Sequence, residues 1–303
     1  MSIADVKYKE LLQEVLDNGV WDSNGEVRPT YDDGTPAYSK SSFGHQVKFQ
    51  PGELPIIGSK HTPVKGSINE VVQLFFKMKS VRIEDAEKLG IKYWKEWAQD
   101  DSTIGKSYGY QLAHQKELVT IKRDTKLERH EDSKYYLQDV KAGEQIWLNQ
   151  VDSLLYNLKE NPYSRRLMFS YWNPKHVYDK SLQECAWAGE FNIRGDQLDF
   201  CLIQRSVDLL LGIPTNWVGY YALQCAFANI LGFKVGTFTH QMGNIHLYDN
   251  QIELAKKVIT AEEYDQPTLW VNPEIKYFYD YKVDDIKVFD YQHGERIRSK
   301  PAI

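Results

Sequence analysis

From Leu198 to His240 the chain runs through two β-branched or aromatic stretches separated by one long apolar stretch, and this order restricts the fold most. Leu198 to Gln204 reads as a strand, Trp217 to Leu231 as a long apolar helix stopped by Gly232, and Lys234 to His240 as a second strand. The polar bend between the first strand and the helix, Gln204-Arg-Ser-Val-Asp-Leu-Leu-Leu-Gly-Ile-Pro-Thr-Asn216, lies downstream of Cys185. An Arg205 guanidinium and a Ser206 hydroxyl both donate hydrogen bonds, which suits the oxygens of a phosphate. The Asn216 amide can donate to one ring atom and accept from the next, so it can read the edge of a nucleobase. With Cys185 as an available nucleophile, the segment reads as a site for a small phosphorylated ring compound beside a thiol.

Composition narrows the classes. A length of 303 residues supports one large domain or two ordinary ones. Apolar and charged fractions of 42% and 26% are those of a globular chain. The net charge of −5 argues against a general nucleic-acid binder, yet a local Arg cluster still permits an anionic small substrate. Twenty Tyr and eight Trp point to wide, flat, partly polar pockets as well as core. The three widely spaced Cys make neither a disulfide framework nor a zinc ribbon; Cys201 and Cys225, in apolar surroundings, read as buried packing thiols. No stretch approaches the roughly 18 apolar residues of a membrane span, and Met1-Ser-Ile-Ala-Asp5 lacks a basic-then-apolar signal. The expected setting is a reducing cytoplasm, that of a host if the chain is phage-encoded.

Along the chain, Asp5 to Leu16 predicts a helix, Phe43 to Phe49 and Leu54 to Ile57 short strands, and Ile68 to Met78 a helix bearing Glu70. An aromatic cluster follows at Tyr93 to Trp97. Residues 116–139 are charged and weakly periodic, and are expected to be a surface insertion. Trp147, Val151, Leu154, Leu155 and Leu158 share one face of a predicted helix that ends at Asn161-Pro162. Leu167 to Trp172, Leu269 to Val271 and Ile286 to Phe289 read as further strands. No repeat and no linker divides the chain, so one α+β domain over residues 1–303 is expected.

Taken in order, a set of these residues resembles the thymidylate synthase family. The likeness runs through Arg28, Gly44-His-Gln46, Glu70, Trp94, Trp97, Tyr108-Gly109, Ser164-Arg-Arg166, Cys185, Gln204 to Asn216, Gly243-Asn-Ile-His-Leu-Tyr248, Leu269, Asn272 and Pro301-Ala-Ile303. Each motif alone is unspecific; their colinearity over nearly the whole chain carries the resemblance. It implies a large mixed sheet packed by helices, with a sheet face forming a homodimer interface. It implies dUMP as substrate and 5,10-methylenetetrahydrofolate as co-substrate, with no metal, membrane or nucleic acid required. Cys185 would be the nucleophile that adds to carbon 6 of the uracil, a step that needs good attack and good departure from one atom. Arg205 would lower the thiol's pKa. Glu70 would be the general acid–base and Tyr108 would assist proton removal from carbon 5. Arg28, Arg165, Arg166 and Arg205, with Ser206, would bind the nucleotide phosphate, with Arg165 and Arg166 donated across the dimer interface, and Gln204 would also bind the nucleotide. Asn216 would hold the uracil, and His246 and Tyr248 the ribose. Asp208 would bond the pterin, Trp94 and Trp97 would pack on the folate, and Ile303 would close the site.

The chain also departs from the family pattern. The usual Pro-Pro-Cys-His is Gln183-Glu-Cys-Ala186, and Glu184 puts a carboxylate beside the thiol. Thr215, Trp217, Tyr93 and Gln73 replace the family's usual apolar or aromatic residues at their positions. Extra polar groups there could hold a water able to capture the one-carbon unit. This leaves open a phage-type hydroxymethylase, giving 5-hydroxymethyl-dUMP and tetrahydrofolate instead of dTMP and dihydrofolate. Outside the family, a cysteine hydrolase would need a His oriented on Cys185 and oxyanion donors, for which the sequence offers no adjacent pattern; outside catalysis, an inactive nucleotide-binding regulator is a further class.

Overall fold

The structure, a computed structural model, describes residues 2–22, 29–131, 133–300 and 302. Arg28 and Ile303, expected at the phosphate and at closure, lie outside the described residues. The strands are β1 (Val20–Trp21), β2 (Ser39–Phe49), β3 (Lys116–Thr120), β4 (Thr125–Glu131), β5 (Lys134–Val140), β6 (Gln145–Asn149), β7 (Met168–Ser170), β8 (Ala186–Arg194), β9 (Gln197–Asp208), β10 (Lys234–Tyr248), β11 (Thr268–Val271) and β12 (Ile286–Phe289). The α-helices are α1 (Ile3–Asn18), α2 (Val64–Ile68), α3 (Ile83–Lys88), α4 (Gly109–His114), α5 (Gln150–Glu160), α6 (Gly212–Leu231) and α7 (Ile252–Ile259). Helix α2 runs directly into a π-helix, Asn69–Met78.

A six-stranded mixed sheet in the order β1-β2-β10-β9-β8-β7 organises the chain. Strands β8 and β9 pair antiparallel around Gly195-Asp196, where Gly195 takes a φ of 61° that favours glycine in a tight hairpin turn. Strand β10 lies parallel to β9, which a hairpin cannot achieve; α6 supplies the crossover. Leu198, Phe200, Leu202 and Gln204 point from β9 into the core, while Asp199, Cys201 and Ile203 stay partly exposed on the other face. One covered and one open face is the pattern of a sheet packed on a single side. Helix α6 is buried almost all round, from Trp217 through Ala228.

Several expectations change. Leu54 to Ile57 is irregular, although Ile56 and Ile57 are fully buried; the apolar run reflects core contact without strand pairing. Trp147 lies in β6 and is 58% exposed, off the predicted helix face. The helix cannot reach it, because the Asn149 side chain accepts from the backbone of Val151 and Asp152 and caps α5 there. Residues 116–149 form two antiparallel ribbons, β3–β6 and β4–β5. Their period of two was masked by long charged side chains, such as the cross-strand pair Lys126–Asp139. The β4–β5 ribbon is tied to the main body, since Glu128 accepts from the Phe278 amide at 2.8 Å. Strand β8 and helix α7 had no counterpart in the sequence reading. Cys225 is buried as expected, whereas Cys201 is only partly so, on the open sheet face.

Candidate active site

Cys185 stands where an irregular segment enters β8, and it is half-buried. The segment is held from two sides. On one, Ser107 Oγ donates to the Leu182 carbonyl at 2.8 Å, and Lys106 donates its amide to the Asp179 carbonyl at 2.8 Å. On the other, the Arg205 amide donates to the Cys185 carbonyl and the Arg205 Nε to the Glu184 carbonyl, both at 2.9 Å. The Cys185 amide donates to the Tyr108 hydroxyl at 3.2 Å. The backbone that carries the thiol is therefore held by Arg205 on one side and the Tyr108 phenol on the other. Glu184, which looked adverse from sequence, is neutralised: Lys180 Nζ sits 2.7 and 2.9 Å from its two oxygens, with both side chains essentially inaccessible.

Glu70 is 9% exposed on the π-helix, the rare geometry that recurs at functional sites. Burial raises its pKa above the ordinary 4.5, opposed by hydrogen bonds from Tyr93 and Trp94. The Trp94 indole N–H donates to Glu70 Oε1 at 2.8 Å. Tyr93, a departure in the sequence, is thus a second donor to the carboxyl. Tyr108, Tyr171 and Tyr220 line the interior here, with Tyr108 stacked on Phe75 at 4.6 Å and Tyr220 bonded to Tyr171 at 3.3 Å. Burial raises all three phenol pKa values, and both Glu70 and Cys185 are near enough to Tyr220 to oppose its ionisation. Tyr220 is thus a neutral hydroxyl near both the carboxyl and the thiol. Tyr108 itself has a φ of 31°, a strained conformation held by its surroundings.

Close helix contact sets the spacing between Glu70 and the bend residues. A Cβ at Gly219 of α6 would come within 2.6 Å of the Ser67 carbonyl and of Val71, so only glycine lets α6 press against the Glu70 helix. At the start of α6, Asn216 donates to Gln204 Oε1 at 3.1 Å, and Gln204 Nε2 donates to the Ser206 carbonyl at 3.0 Å. Asp208 accepts from the amides of Leu210 and Leu211 at 2.8 Å, and from Gln251 at 3.0 Å through its other oxygen. It thereby holds the turn that leads into α6.

His246 Nδ1 lies 2.9 Å from Asn244 Oδ1, and burial lowers its pKa. It packs edge-on to Tyr248 at 5.1 Å. Cys185, Tyr108, Glu184, Arg205, Gln204, Ser206 and Asn216 thus form one neighbourhood of hydrogen-bonded and adjoining residues, while Glu70 is bonded to Trp94 and is near enough to Tyr171 and Tyr220 to oppose their ionisation. Arg165 and Arg166 are exposed on the loop between α5 and β7 and, among the described residues, are not part of that network. Trp94 is inside and bonded to Glu70, while Trp97 is only partly buried. Lys180 was missed in the sequence; its place one helical turn's spacing before Glu184 was the available signal.

Comparisons with known proteins identify the family to which this fold belongs. A family model described as thymidylate synthase matches residues 6–303. The chain is 32% identical over 304 residues to thymidylate synthase 1 of Bacillus spizizenii, with 100% of both chains covered. It is equally similar, at 32% and full coverage, to the thymidylate synthase of Bacillus phage phi3T. Its structure superposes on that of thermostable thymidylate synthase A from Bacillus subtilis with a TM-score of 0.82, 31% identity and 99% coverage of each chain.

Proposed function

The chain belongs to the thymidylate synthase family, and from that membership we propose that it is a one-carbon methyltransferase converting dUMP to dTMP, with Cys185 as nucleophile. The observation that carries this reading is the half-buried Cys185, whose backbone Arg205 and Tyr108 hold, with the buried Glu70 carboxyl bonded to Trp94 and both groups near Tyr220. Cys185 Sγ adds to carbon 6 of the uracil, which makes carbon 5 the nucleophile; the thiolate departs once carbon 5 has lost its proton. Methylenetetrahydrofolate supplies the one-carbon unit and the hydride that turns it into a methyl group. Glu70, whose pKa burial raises, exchanges protons at the carbonyl-4 side of the ring. Tyr108, bonded to the Cys185 amide, is placed to assist proton removal from carbon 5.

Arg205 and Ser206 serve the phosphate, Asn216 the base edge, and His246 and Tyr248 the ribose. The partly exposed Trp97 and the half-buried Asp208 carboxylate offer an aromatic face and an acceptor, as a flat ring carrying N–H donors requires. Trp94 acts from behind, holding Glu70. Exposed Arg165 and Arg166 suit donation to the nucleotide of a second copy, and the open sheet face carrying Lys48, Glu190 and Cys201 suits the interface of such a homodimer. Three thiols without a disulfide fit a reducing cytoplasm. Among the described residues, no helix is long and apolar enough to cross a membrane.

The hydroxymethylase alternative is not favoured, because the polar groups that motivated it are committed elsewhere. The Thr215 hydroxyl donates back to the Gly212 carbonyl at 2.9 Å, within its own helix. Gln73 donates to the Tyr281 carbonyl at 3.4 Å, and Trp217 is fully buried in the core. The test supplies dUMP and methylenetetrahydrofolate and weighs the nucleotide product. Formation of dTMP with dihydrofolate is expected; a product heavier by one oxygen, without dihydrofolate absorbance, overturns the synthase assignment. A Cys185 adduct with 5-fluoro-dUMP and the folate, seen by mass spectrometry and lost in Cys185→Ala, tests the nucleophile.

A further inference from the structure

Behind Asn216 lies a chain of buried hydrogen bonds whose direction is set at one end by an indole N–H and at Gln204 by a backbone carbonyl. The Trp217 indole Nε1 donates to His240 Nδ1 at 2.9 Å. His240 Nε2 lies 3.1 Å from Gln204 Oε1, the same oxygen that accepts from Asn216 Nδ2 at 3.1 Å. Trp217 and His240 are completely buried and Gln204 nearly so, so neither water nor solvent ions reach these groups.

The protonation of this chain follows from its chemistry. Burial pushes the His240 pKa down to about 3, so the ring is neutral at working pH and carries one N–H. An indole N–H can only donate, hence Nδ1 must accept and the proton must reside on Nε2. Nε2–H then donates to Gln204, which must present its oxygen there; the Gln204 amide nitrogen faces the Ser206 carbonyl, which can only accept. Against that oxygen Asn216 must place its own amide nitrogen. Its Oδ1 and its second N–H remain for a ligand, in fixed order.

We infer that Trp217 and His240 are positioning residues that fix the amide orientation of Asn216 and thereby select uracil over cytosine. The inference rests on the base-reading role of Asn216 proposed above. Uracil offers an N3–H donor and a carbonyl-4 acceptor, which meet Oδ1 and the free N–H. Cytosine offers an acceptor at N3 and an amino donor at position 4, and would require Asn216 to turn over. The turned amide would place Oδ1 against Gln204 Oε1, two acceptors facing each other in a buried site. Gln204 cannot turn to relieve this without presenting its NH2 to the His240 N–H. Without the Trp217 donor, the His240 proton is free to move to Nδ1 and Nε2 can accept from a reversed Gln204 amide, so the Ser206 carbonyl alone is left to hold the two amides in their order.

The experiment measures dUMP and dCMP binding by calorimetry for wild type, Trp217→Phe, His240→Gln and His240→Leu. Trp217→Phe and His240→Leu are expected to narrow the dCMP-to-dUMP affinity ratio by about tenfold or more, the scale of one buried unpaired polar group. His240→Gln, which can accept from Trp217 and donate to Gln204, is expected to keep most of the discrimination. A merely structural role would weaken both nucleotides alike; an unchanged ratio in Trp217→Phe overturns the inference while dUMP binding upholds the function. Wild-type protein that binds neither nucleotide overturns the functional reading itself. Should Trp217→Phe not fold, 15N NMR of the wild-type His240 ring decides, with its signals assigned by their loss in His240→Gln. A proton on Nε2 supports the inference, and one on Nδ1 refutes it.

Discussion

Lys180→Met should destabilise the protein more than any surface charge change, because it orphans a fully buried carboxylate next to the nucleophile. Lys180 Nζ bonds both oxygens of Glu184 at 2.7 and 2.9 Å, with side-chain exposures of 1% and 0%. Water cannot replace the lost partner. Removing one member of such a pair costs about 3–5 kcal/mol, a large share of the roughly 5–15 kcal/mol that holds a typical domain together. The cost belongs to the charge, and this gives it a signature. At low pH the orphaned carboxylate takes up a proton and the penalty fades; as pH rises, the unfolded chain can ionise freely while the folded one cannot, and stability is lost. Urea unfolding of wild type and Lys180→Met at neutral and at mildly acidic pH measures the difference. The double change Lys180→Met with Glu184→Leu removes both charges and should recover most of the loss. A single-variant deficit below about 1 kcal/mol, or one equally large at both pH values, would refute the argument, since an unpaired buried charge can produce neither.

Other changes test other parts of the molecule. Burial raises the Glu128 pKa from 4.5 to about 7, so its contribution favours the folded state below the ordinary carboxylate range and is lost as pH rises to about 7. Glu128→Gln should therefore gain stability relative to wild type over that interval, by up to about 3 kcal/mol in thermal or urea unfolding, and a flat difference contradicts the burial argument. Glu70→Gln should lower kcat by about 100-fold or more while retaining dUMP binding by calorimetry; unchanged kcat removes Glu70 from proton transfer. Asn216→Asp should move preference from dUMP towards dCMP by about 1–3 kcal/mol in kcat/KM, and equal use of both nucleotides by the wild type would contradict the assignment of Asn216.

The residues on which the proposed chemistry rests were legible in the sequence because their types occur in order. Cys185, the Gln204 to Asn216 bend and Glu70 could be read as a thiol, a phosphate-and-base site and a carboxyl before any contact was known. The strand–helix–strand of β9, α6 and β10 was equally legible, since each element writes its own periodicity into the chain and Gly232 ends the helix in a left-handed conformation. Local pattern fails where a residue's role depends on distant partners. Trp147 fitted a helical face but was cut off by the Asn149 cap. The charged ribbons of residues 116–149 hid their alternation, and the apolar run to Ile57 was buried without pairing.

The same division holds inside the site. The sequence declared that a carboxylate, Glu184, adjoins the thiol, but only the fold shows Lys180 neutralising it. Tyr93 and Trp94 are neighbours in the chain, yet their role as donors to Glu70 exists only after the π-helix brings the carboxyl to them. Trp217 and His240, separated along the chain and apolar or neutral in context, meet across α6 and β10 to orient Asn216. Residue identity sets which protons and charges are available. Burial and hydrogen-bond geometry, which depend on all the packed elements together, decide where those protons sit and which charges survive.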